Sequence, residues 1–506
     1  MLMHQPLLDN AARRPDAPAF RWVDRDRALS YAQAVTQMDR MAGALHHLGA
    51  RKGDRIAVFA HNGLDYLIAM FGAWRIGAIA ALVNVKFADE LAYYLGDHDP
   101  TIVIYTHDMV DAVRRARAAA PSIRALVCMD GPQDGAESLP ALLEADLPPP
   151  PDPWDEDAVA HLSYTSGTTG KPKGACLRHE PTVRAARCIA ERLRLRPTDM
   201  SFGATALSSS YQLVGNILPP LACGAPFHVM GRWTQQSGWD ALDAAGATAF
   251  VANPTLLSET IVESRRRGRA PGRLRYALTG GAPMPPSLKS AWRDEFALPV
   301  VESYGQSELG GFVALGYPDL VPAGDSLQRV GPALPDKEVR TVDMDDRPVG
   351  PGVIGEIVLR GGFMAGYWGN PEKTAEATRG DWLRTGDLGV IDADGHVTMR
   401  GRRAELILVS GRPWYPRDVE EALCEQPGVR QAALIGLPDA ARGSRPTAFV
   451  TLHDGASVDP AALTGAIAKS VDDDVSLLDI RVVEELPMTP TGKIAKAELA
   501  AMAQKG

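Results

Sequence analysis

The stretch RIAVFAHNGLDYLIAMFGAWRIGAIAALVNV, residues Arg55–Val85, contains the repeating unit of an α/β fold. The apolar run that starts at Arg55 ends in Gly63, which is typical of a buried strand followed by a turn. A helical segment then extends to Gly77, and the second apolar run, AIAALVNV, predicts another strand. A strand, a helix and a strand in this order indicate a parallel sheet covered by helices.

The same alternation continues along the chain. TIVIYT (Thr101–Thr106) precedes a helical segment, and AVAHLSYTS predicts a strand that runs directly into a glycine-rich loop. Between Ala241 and Val301 three further apolar runs begin (ATAFVANP, RYALTGG and LPVVESYG), and their ends are where ligands bind in open α/β sheets. From Glu356 to Arg400 the pattern changes to short strands and turns, and a small α+β unit follows. We predict an α/β protein with a large N-terminal domain of helix-covered mixed sheets, a β-rich subdomain and a small C-terminal domain.

Composition excludes several classes of protein. The chain has 506 residues, too many for one hydrophobic core, and a formal net charge of -9, which gives no basic surface for nucleic acid. Its five cysteines are scattered without a C-x-x-C pair, which argues against structural zinc and favours a reducing, cytoplasmic location. The most apolar stretch, Leu67–Val85, is interrupted by Arg75 and glycines, so we predict no integral membrane segment. The N-terminal residues MLMHQPLLDNAARRPDAPAF contain no apolar core of signal-peptide length, so we predict no signal peptide.

The glycine-rich loop lies in YTSGTTGKPKGACLRH, residues Tyr164–His179. It is not a Walker loop, because Gly167 precedes Gly170-Lys171 at the wrong spacing and Pro172 has no N–H. The loop can still bind phosphate, because its glycines allow close approach and its hydroxyls, amides and lysines offer donors and positive charge. A flexible linker is the alternative, and the preceding apolar strand and the two lysines argue against it.

The loop resembles the phosphate loop of the adenylate-forming superfamily, which includes acyl-CoA and aryl-CoA synthetases and adenylation domains. TGGAPMP (279–285), ESYGQSE (302–308), WLRTGDLG (382–389), RGRRAELILVSGRPWYPRDVEE (400–421) and LPMTPTGKIAK (486–496) resemble further motifs of this family in the same order. The resemblance covers nearly the whole chain. It implies an N-terminal AMP-binding and acid-binding domain, residues 1–401, joined by a hinge to a mobile C-terminal domain, residues 402–506.

The resemblance implies the site residues. It predicts ATP or AMP contacts from Thr165, Ser166, Gly167, Thr168, Thr169, Gly170, Lys171, Lys173, Gly281, Ala282, Pro283, Glu302, Ser303, Tyr304, Gly305, Asp387 and Arg402. Tyr304 would stack on adenine, and Asp387 would accept both ribose hydroxyls. The predicted catalytic residues are Lys493, Glu308 and Ser307, and the predicted metal ligands are Glu308 and Thr165. A carboxylate suits Mg²⁺, which prefers one or two carboxylates beside phosphate oxygens.

These roles predict an enzyme that uses ATP, Mg²⁺ and CoA. A carboxylic acid attacks the α-phosphorus of ATP to give an acyl-adenylate and pyrophosphate, and CoA then takes the acyl group and releases AMP. Two anions meet in the first step, so positive charge must be placed between them. The alternatives are transfer to a carrier-protein thiol or an amine, and a non-catalytic nucleotide-binding regulator with this fold. The expected partners are a small carboxylic acid and CoA, without nucleic acid; a homodimeric state is left open.

The sequence departs from the family's pattern at three places. Ala404 stands at the hinge where an aspartate or a lysine is usual, and its effect is left open. The region ALSSSYQLVG (206–215) has three serines where relatives carry an aromatic residue and a histidine, so the gate of the acid pocket is altered. Asp472–Asp474 form an acidic run near the expected CoA channel, and a solvated loop is the preferred interpretation. We expect the acid pocket to include Ser209, Tyr211, Gln212, Asn253, Gly280 and Gly310, in a wall rich in small and hydroxyl side chains. The acid itself is not predicted.

Overall fold

The computed structural model of the chain describes residues 1–165, 171–282, 284–319, 329–468, 471, 474–488 and 494–503. The predicted contacts Ser166–Gly170, Pro283 and Lys493, and two residues of the acidic run, therefore lie outside the described residues.

The helices cover the N-terminal part and recur in the C-terminal part. In chain order they are α1 Gln5–Arg13, α2 Tyr31–His47, α3 Leu64–Arg75, α4 Leu91–His98, α5 Val110–Ala116, α6 Leu139–Glu144, α7 His179–Arg192, α8 Ser210–Gln212, α9 Leu218–Cys223, α10 Gln235–Ala245, α11 Pro254–Arg267, α12 Pro286–Phe296, α13 Pro371–Ala377, α14 Pro416–Cys424, α15 Pro460–Ile467 and α16 Lys496–Ala503. None of the helices in the described ranges combines the length and the apolar character needed to cross a bilayer.

The strands are mostly short. In chain order they are β1 Pro18–Trp22, β2 Arg27–Ser30, β3 Arg55–Phe59, β4 Ile79–Leu82, β5 Ile102–Tyr105, β6 Ala125–Cys128, β7 Glu137–Ser138, β8 Val159–Tyr164, β9 Gly174–Arg178, β10 Ser201–Gly203, β11 Phe227–Val229, β12 Ala249–Val251, β13 Tyr276–Gly280, β14 Val300–Gln306, β15 Gly311–Leu315, β16 Arg329–Pro332, β17 Glu338–Val342, β18 Gly355–Arg360, β19 Thr378–Arg379, β20 Trp382–Ile391, β21 His396–Arg402, β22 Ile407–Val409, β23 Arg412–Trp414, β24 Val429–Asp439, β25 Gly443–Leu452 and β26 Asp479–Val482.

Two large sheets form the N-terminal part. Within the described residues, one has the order β15-β14-β13-β12-β10-β11-β1-β2 and is parallel except at its two edge strands. The other has the order β7-β6-β5-β3-β4-β8-β9, and only β9 is antiparallel to its neighbour. The predicted strand–helix–strand unit is confirmed as β3, α3 and β4, and every residue of β4 is buried. Burial on both faces explains why these strands read as unbroken apolar runs.

A third sheet confirms the β-rich subdomain. Its order is β16-β21-β20-β18-β17, with β19 paired to β20, and all of its pairings are antiparallel. The C-terminal part contains the hairpin β22-β23 and the sheet β24-β25-β26.

The chain builds separate hydrophobic cores in its N-terminal and C-terminal parts. The main core joins both large sheets and includes Phe20, Phe71 and Leu278, whereas a distinct cluster in the C-terminal part includes Trp414 and Val450. The α/β fold class with a separate small C-terminal unit is thus confirmed. The boundary at residue 402 and the mobility of this unit stay predictions.

Candidate active site

The site lies where the parallel strands β13 and β14 end, beside the β8–β9 hairpin and the edge of the antiparallel sheet. Ligands of open α/β sheets bind at such strand ends. β13 ends in the TGGAPMP motif, β14 and the turn Ser307–Leu309 contain the ESYGQSE motif, and β8 leads into the phosphate loop. Residues of three predicted motifs therefore meet here.

Asp387 is the centre of one predicted group. The phenol of Tyr304 donates a hydrogen bond to Asp387 Oδ2 at 2.7 Å, and the Gln306 amide donates to the same oxygen. Arg402 Nε lies 2.8 Å from Oδ1, because Asp387 and Arg402 face each other across β20 and β21. Burial, together with the charge of Asp387, raises the pKa of Tyr304 well above its usual value. The phenol therefore remains a donor at neutral pH.

Glu302 lies two positions before Tyr304 in β14 and is held by its own partners. Its side chain is 6% exposed and pairs with Lys289 at 2.7 Å. Arg417 of α14 lies 4.0 Å from its second oxygen, so a residue of the C-terminal part approaches this predicted nucleotide contact. The neighbouring Ser303 donates its hydroxyl to the carbonyl oxygen of Thr279 at 2.9 Å.

The two glycines of the predicted adenine-side loop have different surroundings: Gly280 packs closely against β14, and Gly281 faces open space. A Cβ at Gly280 would lie 2.2 Å from Ser303 Oγ, so only glycine fits there without movement. Gly281 has φ +77°, a left-handed conformation that glycine adopts without strain. Ala282 follows it. Gly305 lies within β14, and Gly310 follows the turn that carries Glu308.

Three serine hydroxyls meet beside this turn. Ser163 Oγ, at the end of β8, donates to Ser307 Oγ at 3.1 Å. Ser210 Oγ, in α8, also lies 3.1 Å from Ser307 Oγ. Ser307 thus joins the strand that leads to the phosphate loop with the helix of the predicted acid pocket. Because a hydroxyl both donates and accepts, these three serines can offer a hydrogen-bond donor to an anion bound beside them.

Glu308 contacts a residue that the sequence motifs do not indicate. The phenol of Tyr367 donates to Glu308 Oε1 at 2.8 Å. Within the described residues, Oε2 makes no hydrogen bond or ion pair. The arrangement fits Mg²⁺, which takes hard oxygen ligands and usually keeps phosphate oxygens and waters. The described residues contain no group of three or more His, Cys, Asp or Glu that could hold a metal, so phosphate and water would have to complete the shell.

The described ends of the phosphate loop pair with each other. Thr165 N donates to the Lys173 carbonyl oxygen at 3.0 Å, and Lys173 N approaches Thr165 Oγ1 at 3.4 Å. Lys173 Nζ lies 4.3 Å from the ring centroid of Tyr367, and Lys171 Nζ lies 5.2 Å from that of Tyr93. Each lysine therefore covers one tyrosine ring at cation–π distance.

The predicted acid-pocket residues are largely engaged within the protein. Tyr211 OH lies 2.9 Å from the Leu278 carbonyl oxygen and 3.2 Å from that of Ala252, and burial raises its pKa. Ser209 Oγ accepts from Tyr211 N at 3.2 Å, and Asn253 Oδ1 accepts from Leu256 N at 2.9 Å at the start of α11.

Gln212 lies in a buried polar network. Its Oε1 accepts from Asn216 Nδ2 at 3.0 Å, its amide donates to Thr205, and Asn216 Oδ1 accepts from Ser201 at 2.6 Å. A π turn over Leu213–Ile217, between α8 and α9, contains Asn216. Such turns are frequent at functional sites. The structure does not bring the Gln212 side chain to the serine cluster.

The site contains further residues that the sequence does not single out, among them Ser163, Ser210, Gln306 and Tyr367, although Ser210 lies within the predicted pocket region 206–215. The signals for Ser210 and Gln306 were present, because they stand inside the serine run and the ESYGQSE motif. GYWGNPE, around Tyr367, has the composition of a turn and gave no such signal.

The sequence of this chain matches known protein families over most of its length. A family model described as AMP-binding enzyme matches residues 7–368, and one described as AMP-binding enzyme C-terminal domain matches residues 418–493. The chain belongs to the family of AMP-binding enzymes. The predicted membership in the adenylate-forming superfamily is therefore confirmed.

Two curated relatives match this AMP-binding enzyme over almost its whole length. A sulfoacetate–CoA ligase of Cupriavidus necator is 30% identical and covers 97% of this chain and 95% of its own length. A 4-hydroxybenzoate–CoA/benzoate–CoA ligase of Rhodopseudomonas palustris is 29% identical, over 96% of this chain and 91% of its own. ATP-bound MatB from Rhodopseudomonas palustris superposes with a TM-score of 0.87 at 26% identity, covering 100% of this chain and 99% of MatB. The predicted class of the enzyme, an AMP-forming acid–CoA ligase, is confirmed.

Proposed function

We propose that this enzyme joins a small or medium-sized organic acid to free CoA through an acyl-adenylate. The carboxylate oxygen attacks the α-phosphorus of ATP, and the bond to pyrophosphate breaks. The CoA thiolate then attacks the acyl carbon, and the bond from that carbon to AMP breaks. The observation that carries the proposal is the meeting of Tyr304, Asp387 and Arg402, from three separate motifs, around one carboxylate.

The groups around Asp387 would hold the nucleoside. Its two oxygens accept from Tyr304, Gln306 and Arg402, so the carboxylate is fixed in orientation. A ribose would share or replace these donors, which favours a bidentate contact to its hydroxyls. The open space beside Gly281 would accept the flat base.

The chemistry would take place between Ser307, Glu308 and the phosphate loop. Ser307 would donate to the α-phosphate, while Lys171 and Lys173 would neutralise the β- and γ-phosphates. Glu308 and Thr165 would hold Mg²⁺, which supplies charge neutralisation at the phosphates. Lys493 would lie between the carboxylate and the α-phosphate, as the family resemblance implies.

The size of the acid is inferred from Tyr211. Its hydroxyl lies against the carbonyl oxygens of Leu278 and Ala252, and its ring centroid lies 5.7 Å from that of Phe312. A Cβ at Gly280 would lie only 3.2 Å from this ring. A ring fixed in this way would form the floor of the pocket and exclude long acyl chains.

A screen of acids tests the proposal. Aliphatic, aryl and dicarboxylic acids are offered with ATP and Mg²⁺, and pyrophosphate release and CoA thioester formation are measured separately. We expect short acids to support both reactions, and Tyr211→Ala to extend the range to longer ones. Pyrophosphate release without a CoA thioester would favour a carrier protein or an amine as acceptor. No acid-dependent pyrophosphate release would contradict the proposal.

A further inference from the structure

Tyr367 lies on a short segment that connects the phosphate loop with the turn of Glu308. Residues 365–368 run beside β9: Cys176 N donates to the Gly366 carbonyl oxygen at 2.9 Å, and Trp368 N donates to that of Gly174 at 2.8 Å. Met364 N donates to the carbonyl oxygen of Glu308 at 2.9 Å. The backbone of this segment is therefore bound to both predicted phosphate-binding elements.

The position of Tyr367 within the segment is also fixed. Its backbone forms a β-bridge with Ala175, and its N–H donates to Thr374 Oγ1 at 2.9 Å. Gly366, immediately before it, has φ +150°, and a Cβ there would lie 3.0 Å from Thr374. The side chain of Tyr367 is thus directed by contacts on both sides of the segment.

The side chain of Tyr367 contacts two groups of opposite charge. Its hydroxyl donates to Glu308 Oε1 at 2.8 Å, and its ring faces Lys173 Nζ at 4.3 Å.

This geometry assigns different roles to the two oxygens of Glu308. Oε1 is held by the phenol, and Oε2 makes no hydrogen bond within the described part of the chain. A carboxylate whose rotation is fixed presents one oxygen in one direction, which favours binding of a cation there. The same residue contacts Lys173 through its ring and Glu308 through its hydroxyl.

We propose that Tyr367 is a positioning residue, which fixes the orientation of Glu308 for Mg²⁺. The proposal rests on the proposed function. Residues that orient a metal ligand through a hydrogen bond commonly change metal affinity by about 10–100-fold when they are replaced. In this role the phenol oxygen of Tyr367 does not itself bind the Mg²⁺.

Tyr367→Phe tests this assignment, because it removes the hydroxyl and retains the ring over Lys173. The measurement is the rise in unfolding temperature caused by a fixed ATP concentration as Mg²⁺ is increased. We expect the Mg²⁺ concentration for half of the full rise to increase about tenfold. An unchanged or lower concentration would overturn the proposal.

Tyr93→Phe is the matched control. Tyr93 has the same relation to Lys171, but its hydroxyl donates to the Pro172 carbonyl oxygen at 2.5 Å and not to a carboxylate. Its Mg²⁺ requirement should equal that of the wild type, and an equal increase in both variants would refute a specific role for Tyr367. If the wild type shows no stabilisation by ATP and Mg²⁺, the proposed function itself fails.

A double-mutant cycle places the effect at Glu308. In a Glu308→Gln background the Tyr367→Phe change should no longer alter the Mg²⁺ requirement, because the oriented carboxylate is already absent. A further tenfold increase in the double variant would mean that Tyr367 acts elsewhere, and would overturn the proposal. The unfolding temperature without ligands shows whether each variant is folded.

Discussion

The phenol of Tyr304 donates a hydrogen bond to Asp387 across 2.7 Å and so joins the end of β14 to β20 of the antiparallel sheet. The two residues are 83 positions apart. With Arg402 on the second oxygen of Asp387, this contact brings together three residues of the proposed nucleoside site. Side chains held by such contacts lose less conformational entropy on binding.

Replacement of Asp387 should weaken ATP binding. Asp387→Asn removes the negative charge opposite Arg402 and one acceptor for a ribose hydroxyl. Hydrogen bonds to charged groups contribute about 1.5–3 kcal/mol, so we expect about a 10–100-fold weaker affinity in an ATP titration by calorimetry. Asp394→Asn, an exposed position in the turn between β20 and β21, is the control. Equal affinity of Asp387→Asn and the wild type would disprove the assigned contact.

The serine cluster predicts a graded series in the adenylation rate. Ser307→Ala should slow acid-dependent ATP–pyrophosphate exchange about tenfold or more, because a donor to the α-phosphate is lost. Ser307→Thr keeps the hydroxyl and should remain close to the wild type. Ser210→Ala should have a smaller effect, since Ser210 acts through Ser307 at 3.1 Å. An exchange rate of Ser307→Ala close to that of the wild type would rule out this role.

The residues on either side of Ala404 are held by different parts of the protein. Arg403 pairs with the buried Glu356 at 2.6 Å, whereas Glu405 pairs with Lys496 at 2.8 Å. Burial lowers the pKa of Lys496, but the carboxylates of Glu420 and Glu405 outweigh it and raise the pKa overall. A rotation of the C-terminal part would therefore have its pivot at Ala404.

Ala404→Pro should separate the two half-reactions. Ala404 lies in a 3₁₀ turn over Arg403–Glu405, and proline there fixes φ and removes the backbone N–H, so the variant would restrict rotation at this position. We expect single-turnover adenylation to be retained and thioester formation to fall steeply, whereas Ala404→Asp should be nearly neutral. Unaltered thiol transfer in the proline variant would argue against a rotating domain.

His161 should make stability depend on pH. It is fully buried, its two ring nitrogens have no hydrogen-bond partner in the described structure, and burial lowers its pKa from 6.5 to about 3. Between these values the unfolded chain binds one more proton than the folded one. The contribution of neutral His161 to the free energy of unfolding is thus fully present above pH 6.5 and declines as the pH falls towards 3.

His161→Leu is the corresponding variant. It should reduce the slope of unfolding free energy against pH by about 1.4 kcal/mol per unit between pH 6 and 5. Denaturant unfolding at each pH measures this slope. An identical slope in the variant and the wild type would show that His161 does not remain neutral.

The fold was predictable where local patterns decide it. β3, α3 and β4 follow from apolar runs bounded by glycines, and Asp387 and Tyr304 follow from short motifs. The role of Tyr367 was not predictable, because it depends on a backbone pairing with Ala175, which lies almost two hundred positions away. The Gln212 network also needed the structure, since the π turn that contains Asn216 has no signature in the sequence.

The transfer of carboxylate oxygen to AMP tests the central claim most directly. An acid that supports pyrophosphate release is labelled with oxygen-18 in its carboxyl group, and the products of ATP and CoA turnover are examined by mass spectrometry. The account predicts AMP with one oxygen-18 and unlabelled pyrophosphate, because the carboxylate attacks the α-phosphorus and the thiol later releases AMP. ADP as the product, or AMP without label, would contradict it.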